Sequence, residues 1–476
     1  MRIRLYNTLS RQIEDFEPLI AGQVRMYTCG PTVYDFGHIG NFRTFVAVDL
    51  LRRFLATQKL AVTAVMNITD VDDKTIRRSQ EAGEDLAVYT ARYEKAFIED
   101  CDLLSIAPPT HLVRATAFIP QMVAWIVRLV ENGNAYVNEG SVYFRVASFP
   151  AYGRLSGKDL AGLQDGARVE VDEYGKEQAR DFVLWKAQRP GEPAWPSPWG
   201  PGRPGWHIEC SVMATEMLGE SFDLHAAGTD LIFPHHENEI AQAESLTHRP
   251  FVKYWVHAEF LQVNGEKMSK SLGNFYTLRD LLQQGHRPSA IRYLLAQVPY
   301  GHQLNFTLDG LIQAGETLER LRAFRARLAR EATSPESHPA LQARVRAAET
   351  EMLAALADNL NTAEALGALF KLVREANAAL DAGQIGQPDR AAFDAVLQTF
   401  DSVFCVLDDT DRAKMDAVGL AAAGLSDAEI ETLLAERAAA RQRKDFTASD
   451  DFRRQLDEGG VLVEDVRGGG VRWRRR

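Results

Sequence analysis

The chain has 476 residues, of which 46% are apolar and 25% charged, so it can bury about three cores and is neither disordered nor fibrous. No run approaches the roughly 18 apolar residues of a membrane span, and residues 1–10 lack the apolar core of a secretory signal, so a cytoplasmic chain with no membrane contact is expected. The net charge of −11 argues against a uniformly basic nucleic-acid binder, but residues 411–476 hold as many basic as acidic groups, which leaves the whole deficit on the preceding chain.

Residues 24–28 (Val-Arg-Met-Tyr-Thr) read as a short strand, and residues 44–55 have helical apolar spacing. Between them runs Cys29-Gly30-Pro31-Thr32-Val33-Tyr34-Asp35-Phe36-Gly37-His38-Ile39-Gly40-Asn41, a strand-to-helix crossing. Parallel sheets bind ligands beyond the carboxyl ends of their strands, and a helix start offers free N–H groups to phosphate. Gly37 and Gly40 let a nucleotide lie close to the backbone, and His38 can donate to an oxygen that gains charge. A polar loop with an incidental histidine is the other reading of this stretch alone.

Residues 62–68 form the next expected strand and residues 84–103 an amphipathic helix, and this alternation argues for a parallel sheet. Pro108-Pro109 ends it. A helix over 119–131 and a hairpin from 136–137 and 142–146 belong to an insertion between two halves of the sheet. Residues 195–207, with three tryptophans among prolines and glycines, predict a rigid loop over a pocket rather than regular structure. The sheet resumes at 222–225, and Pro234 opens a helix that begins His235-His236-Glu237-Asn238-Glu239. Residues 311–407 read as a helix bundle broken at Ser334-Pro335, residues 410–424 as a linker and 427–455 as helical again, before a strand-like 461–463. Arg472-Trp473-Arg474 near the end suits a nucleic-acid strand, the ring for stacking and the guanidinium groups for phosphate.

The four cysteines, 29, 101, 210 and 405, are too dispersed for a disulfide framework. Cys29, Cys210, His235 and Glu239 each sit where a sheet fold can converge them, and His235 and Glu239 at i, i+4 face the same way. Two thiolates, an imidazole and a carboxylate favour zinc over calcium or magnesium. Spacing alone leaves this open against two buried cysteines beside a histidine-rich helix cap.

Two signatures carry a resemblance. His38-Ile39-Gly40-Asn41 resembles the His-Ile-Gly-His motif of class I aminoacyl-tRNA synthetases, with Asn41 in place of the last histidine. About 230 residues later, Lys267-Met268-Ser269-Lys270-Ser271 matches the second class I motif, a loop suited to close on ATP phosphates. Residues 28–34, 205–211 and 233–242 are similar to the cysteinyl-tRNA synthetase family, nearly end to end. That resemblance implies an α/β fold: a Rossmann-type parallel-sheet catalytic domain with an insertion, then a helical bundle and a small C-terminal anticodon-binding domain. The expected boundaries are 1–109 and 206–262 for the two halves of the catalytic domain, 110–205 for the insertion and 263–310 for the signature loop and stem-contact region. Residues 311–410 are the bundle and 411–476 the C-terminal domain.

The resemblance further implies a monomer that activates L-cysteine with magnesium-bound ATP and charges tRNA for cysteine, acylating first the 2′-hydroxyl of its terminal ribose. It assigns one zinc per chain to Cys29, Cys210, His235 and Glu239. It places Cys29, Gly30, Thr32, Thr69, Trp206 and His235 around the amino acid, and His38, Gly40, Asn41, Gly228, Asp230 and Lys270 around ATP. His38, Asn41, Lys267 and Lys270 become the catalytic set, and Arg472, Trp473 and Arg474 the tRNA contacts. Asn41 can still donate a neutral hydrogen bond, whereas His38 can carry charge. Two other departures are Ala226-Ala227, where glycines are usual, and Pro299-Tyr300-Gly301, where His-Tyr-Arg is. The ligase of mycothiol synthesis, which uses the same adenylate, lacks the tail seen here. A non-catalytic tRNA-binding paralogue would have lost its phosphate-contacting residues, and both signatures are present.

Overall fold

The computed structural model describes residues 1–158, 180–332, 335–420, 427–466 and 470–475. They divide into two units, residues 1–281 with 286–414 and residues 282–285 with 415–476.

In the first unit β1 (Arg4–Asn7) and β2 (Gln12–Asp15) pair as an antiparallel ribbon. The chain then alternates through β3 (Gln23–Thr28), α1 (Ile39–Thr57), β4 (Ala61–Ile68), α2 (Asp73–Ala82), α3 (Leu86–Leu103) and β5 (His111–Arg114). The helix starts are written locally: Asp72 caps α2 through the Thr75 N–H and Asp85 caps α3 through the Ala87 N–H. After α4 (Ile119–Glu131) comes the insertion, an antiparallel sheet of β6 (Ala135–Asn138), β7 (Ser141–Phe144), β8 (Phe182–Ala187) and β9 (Gly202–Pro204) in that order. The tryptophan-rich loop is therefore partly regular. Gly202–Pro204 pairs with β8 as an edge strand, the place in a sheet where a proline does least harm. Trp199 still packs on the core as a loop residue.

The main sheet is completed by α5 (Trp206–Leu218), β10 (Phe222–Gly228), α6 (Glu237–Thr247) and β11 (Val252–Ala258). Its order is β11-β10-β3-β4-β5, and every neighbouring pair is parallel. Every residue of β10 is buried, as expected for a parallel strand covered on both faces. The chain runs outward from β3 through β4 to β5, then returns to lay β10 on the other side of β3. The carboxyl ends of β3 and β10 are thus the switch point of the sheet, where a crevice opens. Cys29–Asn41 leaves one of those ends and Gly228–Glu239 the other.

A three-stranded sheet of β12 (Leu261–Val263), β13 (Glu266–Lys267) and, after α7 (Leu278–Gln283) and α8 (Pro288–Ala296), β14 (Leu304–Phe306) carries the second signature loop. The bundle follows as α9 (Leu308–Glu331), α10 (Pro339–Ala357), α11 (Thr362–Asp381) and α12 (Gln387–Phe404). The expected break at Ser334-Pro335 falls partly outside the described residues, and two further breaks interrupt the run. One lies at Asn359 and Leu360, both left-handed, where the chain turns so that the Asn361 side chain can cap α11. The other comes at Gly383, also left-handed. Arg292 on α8 is fully buried and pins α1 to the bundle: it donates to Asp49 at 2.6 Å and to the Phe404 carbonyl at 2.5 Å.

The expected linker is not structureless. It begins with α13 (Asp411–Ala417), and Asp411 is buried, accepting from the Ser289 N–H at 3.0 Å and hydroxyl at 2.5 Å. Residues 421–426 lie outside the described residues. The second unit contains α14 (Asp427–Gln442) and α15 (Phe446–Glu458), separated by left-handed Lys444, and a hairpin of β15 (Val461–Val466) and β16 (Gly470–Arg475). Ile430, Leu434, Leu456 and Val461 form its small core.

Candidate active site and metal centre

At the end of β3, Cys29 meets Cys210 from the first turns of α5, and His235 and Glu239 from the start of α6. One ligand atom of each lies within 4.8 Å of the others, and all four residues are buried. The Cys29 and Cys210 sulfurs are 3.8 Å apart, and His235 Nε2 is 3.0 Å from Glu239 Oε1. Among the described residues that nitrogen makes no well-aligned hydrogen bond in spite of this distance. His235 Nδ1 is 2.9 Å from His207 Nδ1, and its ring stacks on Trp206 at 4.2 Å between centroids.

A second donor set, Cys29, His225, His236 and Glu239, overlaps the first. In it His236 Nε2 lies 3.5 Å from Cys29 Sγ and 3.9 Å from Glu239 Oε1. His225 Nε2 is 2.9 Å from Glu239 Oε2, which leaves Oε1 to face His235. His236 Nδ1 is 2.8 Å from His257 Nε2, and His257 Nδ1 is 2.7 Å from the Thr8 hydroxyl. The His225 ring holds the carboxylate from behind, the usual task of a group around a metal ligand.

The electrostatics suit a cation. Burial works against charge on His235, yet Glu239 and Cys210 raise it to about 10. Burial works against Glu239 too, and His225 and His235 bring it down to about 2. The Cys210 thiol is pushed up by burial but held at about 6 by its hydrogen bond with Cys29 and by the charge of His235. A field that keeps a proton on a fully buried imidazole would also hold a positive ion, and two sulfurs, one nitrogen and one carboxylate oxygen form a metal-binding donor set.

Around this cluster stand the residues expected to meet an amino acid. The Gly30 N–H donates to Asn67 Oδ1 at 2.9 Å, and a Cβ at Gly30 would lie 1.7 Å from the Asn67 carbonyl oxygen, so only glycine fits. Thr32 and Thr69 form a parallel bridge. The Thr69 hydroxyl donates to Glu209 Oε2 at 2.8 Å. The motifs do not single out Glu209, yet it is fully buried, its other oxygen has no partner among the described residues, and burial holds its pKa well above the usual carboxylate range. Its one signal was its place between Trp206 and Cys210 on a helix start.

Across the crevice, His38 caps α1. Its Nδ1 accepts the Asn41 N–H at 3.1 Å while Asn41 Oδ1 accepts the His38 N–H at 3.1 Å, a reciprocal capping box. Burial and then the Lys270 charge lower His38 to about 4. His38 is therefore neutral, contrary to the expectation that it can carry charge, and with Nδ1 accepting, its proton sits on Nε2. Gly40 is tight, since a Cβ there would lie 3.0 Å from His38 Nδ1 and 3.4 Å from Met268 Cε.

The two signatures are docked together. The Ile39 N–H donates to the Tyr276 carbonyl at 3.0 Å, His38 bridges Thr277, and Lys270 Nζ lies 2.9 Å from Asp35 Oδ2. Asn274 staples the base of the loop, accepting from the Ser269 N–H at 2.8 Å and donating to the Lys267 carbonyl at 3.2 Å. The Lys267 side chain is exposed. Gly228 ends β10, where a Cβ would be 2.4 Å from Asp230 Oδ1.

The two departures from the family pattern have structural uses. Ala226 and Ala227 line a small apolar cavity between α1 and the sheet. Tyr300 is buried, donating to Asn359 Oδ1 at 2.5 Å, and the Pro299 carbonyl accepts from Arg43. In the second unit the Trp473 indole N–H donates to Glu431 Oε1 at 2.9 Å and its ring packs on the small core. Arg472 and Arg474 flank it in β16.

The family model for the class I (C) tRNA synthetase catalytic domain matches residues 15–316. The DALR domain matches 352–408, and the cysteinyl-tRNA ligase anticodon binding domain matches 424–474. The cysteine–tRNA ligases of Koribacter versatilis and Solibacter usitatus are each 52% identical, over all of both chains, and that of Thermococcus onnurineus is 44% identical over 100% of this chain and 99% of its own. Methionyl-tRNA synthetase of Mycobacterium tuberculosis, solved with methionyl-adenylate, has the same fold: TM-score 0.60 at 16% identity, over 83% of this chain and 94% of that one. A metal-ready cluster and two docked nucleotide signatures at one sheet switch point thus belong to a chain related over its full length to such ligases: it is a member of the cysteine–tRNA ligase family of class I aminoacyl-tRNA synthetases.

Proposed function

We propose that this chain activates L-cysteine with ATP and transfers it to the 3′ end of tRNA for cysteine. In the first step a cysteine carboxylate oxygen attacks the α-phosphate of magnesium-bound ATP and pyrophosphate leaves. In the second a ribose hydroxyl of the terminal adenosine attacks the acyl carbon and AMP leaves. The observation that carries the choice of amino acid is the buried set Cys29, Cys210, His235 and Glu239, whose ligand atoms lie within 4.8 Å of one another.

Zinc is the ion that two thiolates with an imidazole and a carboxylate favour. Bound there, it supplies a soft Lewis acid able to take a thiol as its thiolate. The chain's own groups do the rest. Gly30, Thr32, Thr69 and Trp206 wall the amino acid, with Glu209 holding the Thr69 hydroxyl in place. Gly228 and Asp230 border the adenosine at the end of β10. Neutral His38 donates through Nε2 to a phosphate oxygen, Asn41 holds that ring in its tautomer, and Lys267 and Lys270 offset the charge of departing pyrophosphate.

The second unit, with Arg472, Trp473 and Arg474, reads the anticodon strand. No helix among the described residues is long and apolar enough to cross a membrane. The expected setting is a monomer in the cytoplasm. The test is cysteine-dependent exchange of pyrophosphate into ATP, followed by charging of tRNA, with zinc measured on the same preparation. No exchange with cysteine, or equal exchange with serine, would overturn the reading.

A further inference from the structure

The lysine of the second signature that faces the first is held from two sides. Lys270 Nζ lies 2.9 Å from Asp35 Oδ2 and 4.9 Å over the Phe275 ring. His38 meets the same ring edge-on at 5.3 Å. The carboxylate is itself anchored, because Asp35 Oδ1 accepts the Phe36 N–H at 2.9 Å. The corner that presents it is braced. The Tyr89 hydroxyl donates to the Tyr34 carbonyl at 2.9 Å, and the Phe36 ring meets Tyr93 edge-on at 5.3 Å. Arg279 lies 4.9 Å over Phe36 while it is paired with Glu99 and Asp100, each at 2.8 Å. Lys270, by contrast, is a flexible side chain, 61% exposed, on a loop. A fixed carboxylate therefore decides where a mobile ammonium rests.

We propose that Asp35 is a positioning residue for adenylate formation: it parks the Lys270 ammonium beside His38 before ATP arrives. The inference rests on the function proposed above and goes beyond it. The cationic charge that offsets departing pyrophosphate is then in place and need not be recruited from solvent, which is how preorganised electrostatics lowers a barrier. Asp35 touches no reacting atom and acts through Lys270.

The test is steady-state pyrophosphate exchange by the full chain with D35N, D35E, K270M and the D35N/K270M double variant. D35N is expected to lower kcat roughly two- to fivefold, the scale of an exposed ion pair. KM for ATP and for cysteine should stay within about twofold, since Lys270 is displaced and not removed. D35E should recover most of the loss, and D35N should cost nothing further in the K270M background, because the two residues form one device. An equal loss from D35N with and without Lys270 would overturn the inference, as would an unchanged kcat. A lower KM for ATP in D35N would also overturn it, making Asp35 a competitor of phosphate for the lysine. Loss of exchange in the wild type would overturn the functional reading and this inference with it, whereas an active wild type with a fully active D35N overturns this one alone.

Discussion

Replacing Asn41 by alanine separates two tasks that His38 performs. The substitution removes the Asn41 Oδ1 acceptor 3.1 Å from the His38 N–H but leaves the Asn41 N–H on His38 Nδ1. One arm of an exposed capping box is worth about 0.5–1 kcal/mol, and exposed water can take its place at this helix start. Adenylate formation should slow about two- to fivefold, through a looser ring. His38→Ala removes both the cap and the Nε2 donor aimed at developing charge. Loss of one such donor costs about 10²–10³ in rate. The ranking is therefore His38→Ala well below Asn41→Ala, read by pyrophosphate exchange. The pH dependence adds a check. With His38 lowered to about 4, the imidazole is already neutral throughout pH 5–8, and protonation would begin to remove the acceptor Nδ1 only near pH 4. Wild-type exchange should show no limb that disappears in His38→Ala within pH 5–8. A larger loss at Asn41 than at His38, or a His38-dependent limb near pH 6.5, would refute the neutral-donor assignment.

Three other outcomes are expected. Cys210→Ser should lower bound zinc, raise KM for cysteine and relax discrimination against serine, with KM for ATP little changed; a zinc-free enzyme that still prefers cysteine several thousandfold would contradict this. Truncation after Leu420, which keeps the buried Asp411 on Ser289, should leave cysteine activation nearly intact but weaken tRNA charging and flatten its salt dependence. Undiminished charging at limiting tRNA would remove the second unit from anticodon reading. Arg292→Met should destabilise the first unit by about 3 kcal/mol, the low end for breaking a buried pair, because Asp49 retains Arg53 at 2.8 Å and the Ala107 N–H at 2.9 Å. Urea unfolding of the variant measures it.

What was legible in the chain followed from local chemistry. Residues 62–68 and 119–131 read correctly as strand and helix because their apolar spacing is regular and their ends are marked. The bundle reads as one run interrupted once, since alanine- and leucine-rich spacing dominates on both sides of Asn359-Leu360 and the capping Asn361 is a short signal beside it. Gly202–Pro204 looked irregular because an edge strand needs its partner, β8, to exist at all. The linker hid α13 for the same reason: Asp411 is an ordinary acidic residue until Ser289, far back in the chain, comes to meet it.

The site divides along the same line. Residues that bear chemistry carry it in their type and motif, so Cys29, Cys210, His235, Glu239, His38 and Lys270 could be named without coordinates. The groups that set their state could not, because each reaches its partner from a remote segment. Glu239 is held by His225 from the neighbouring strand, Thr69 by Glu209 from a helix some 140 residues on, and Lys270 by Asp35 from the loop before the first signature. His38 shows the consequence most directly. Its type permits charge, and the sequence offers no reason to refuse it. Only burial, a lysine from the other signature and an amide three residues on decide that it is neutral and which nitrogen holds the proton. A neutral histidine donor binds a phosphate oxygen more strongly as that oxygen gains charge, so its contribution falls more on the transition state than on ATP binding. Loss of His38 should then appear in kcat far more than in KM for ATP.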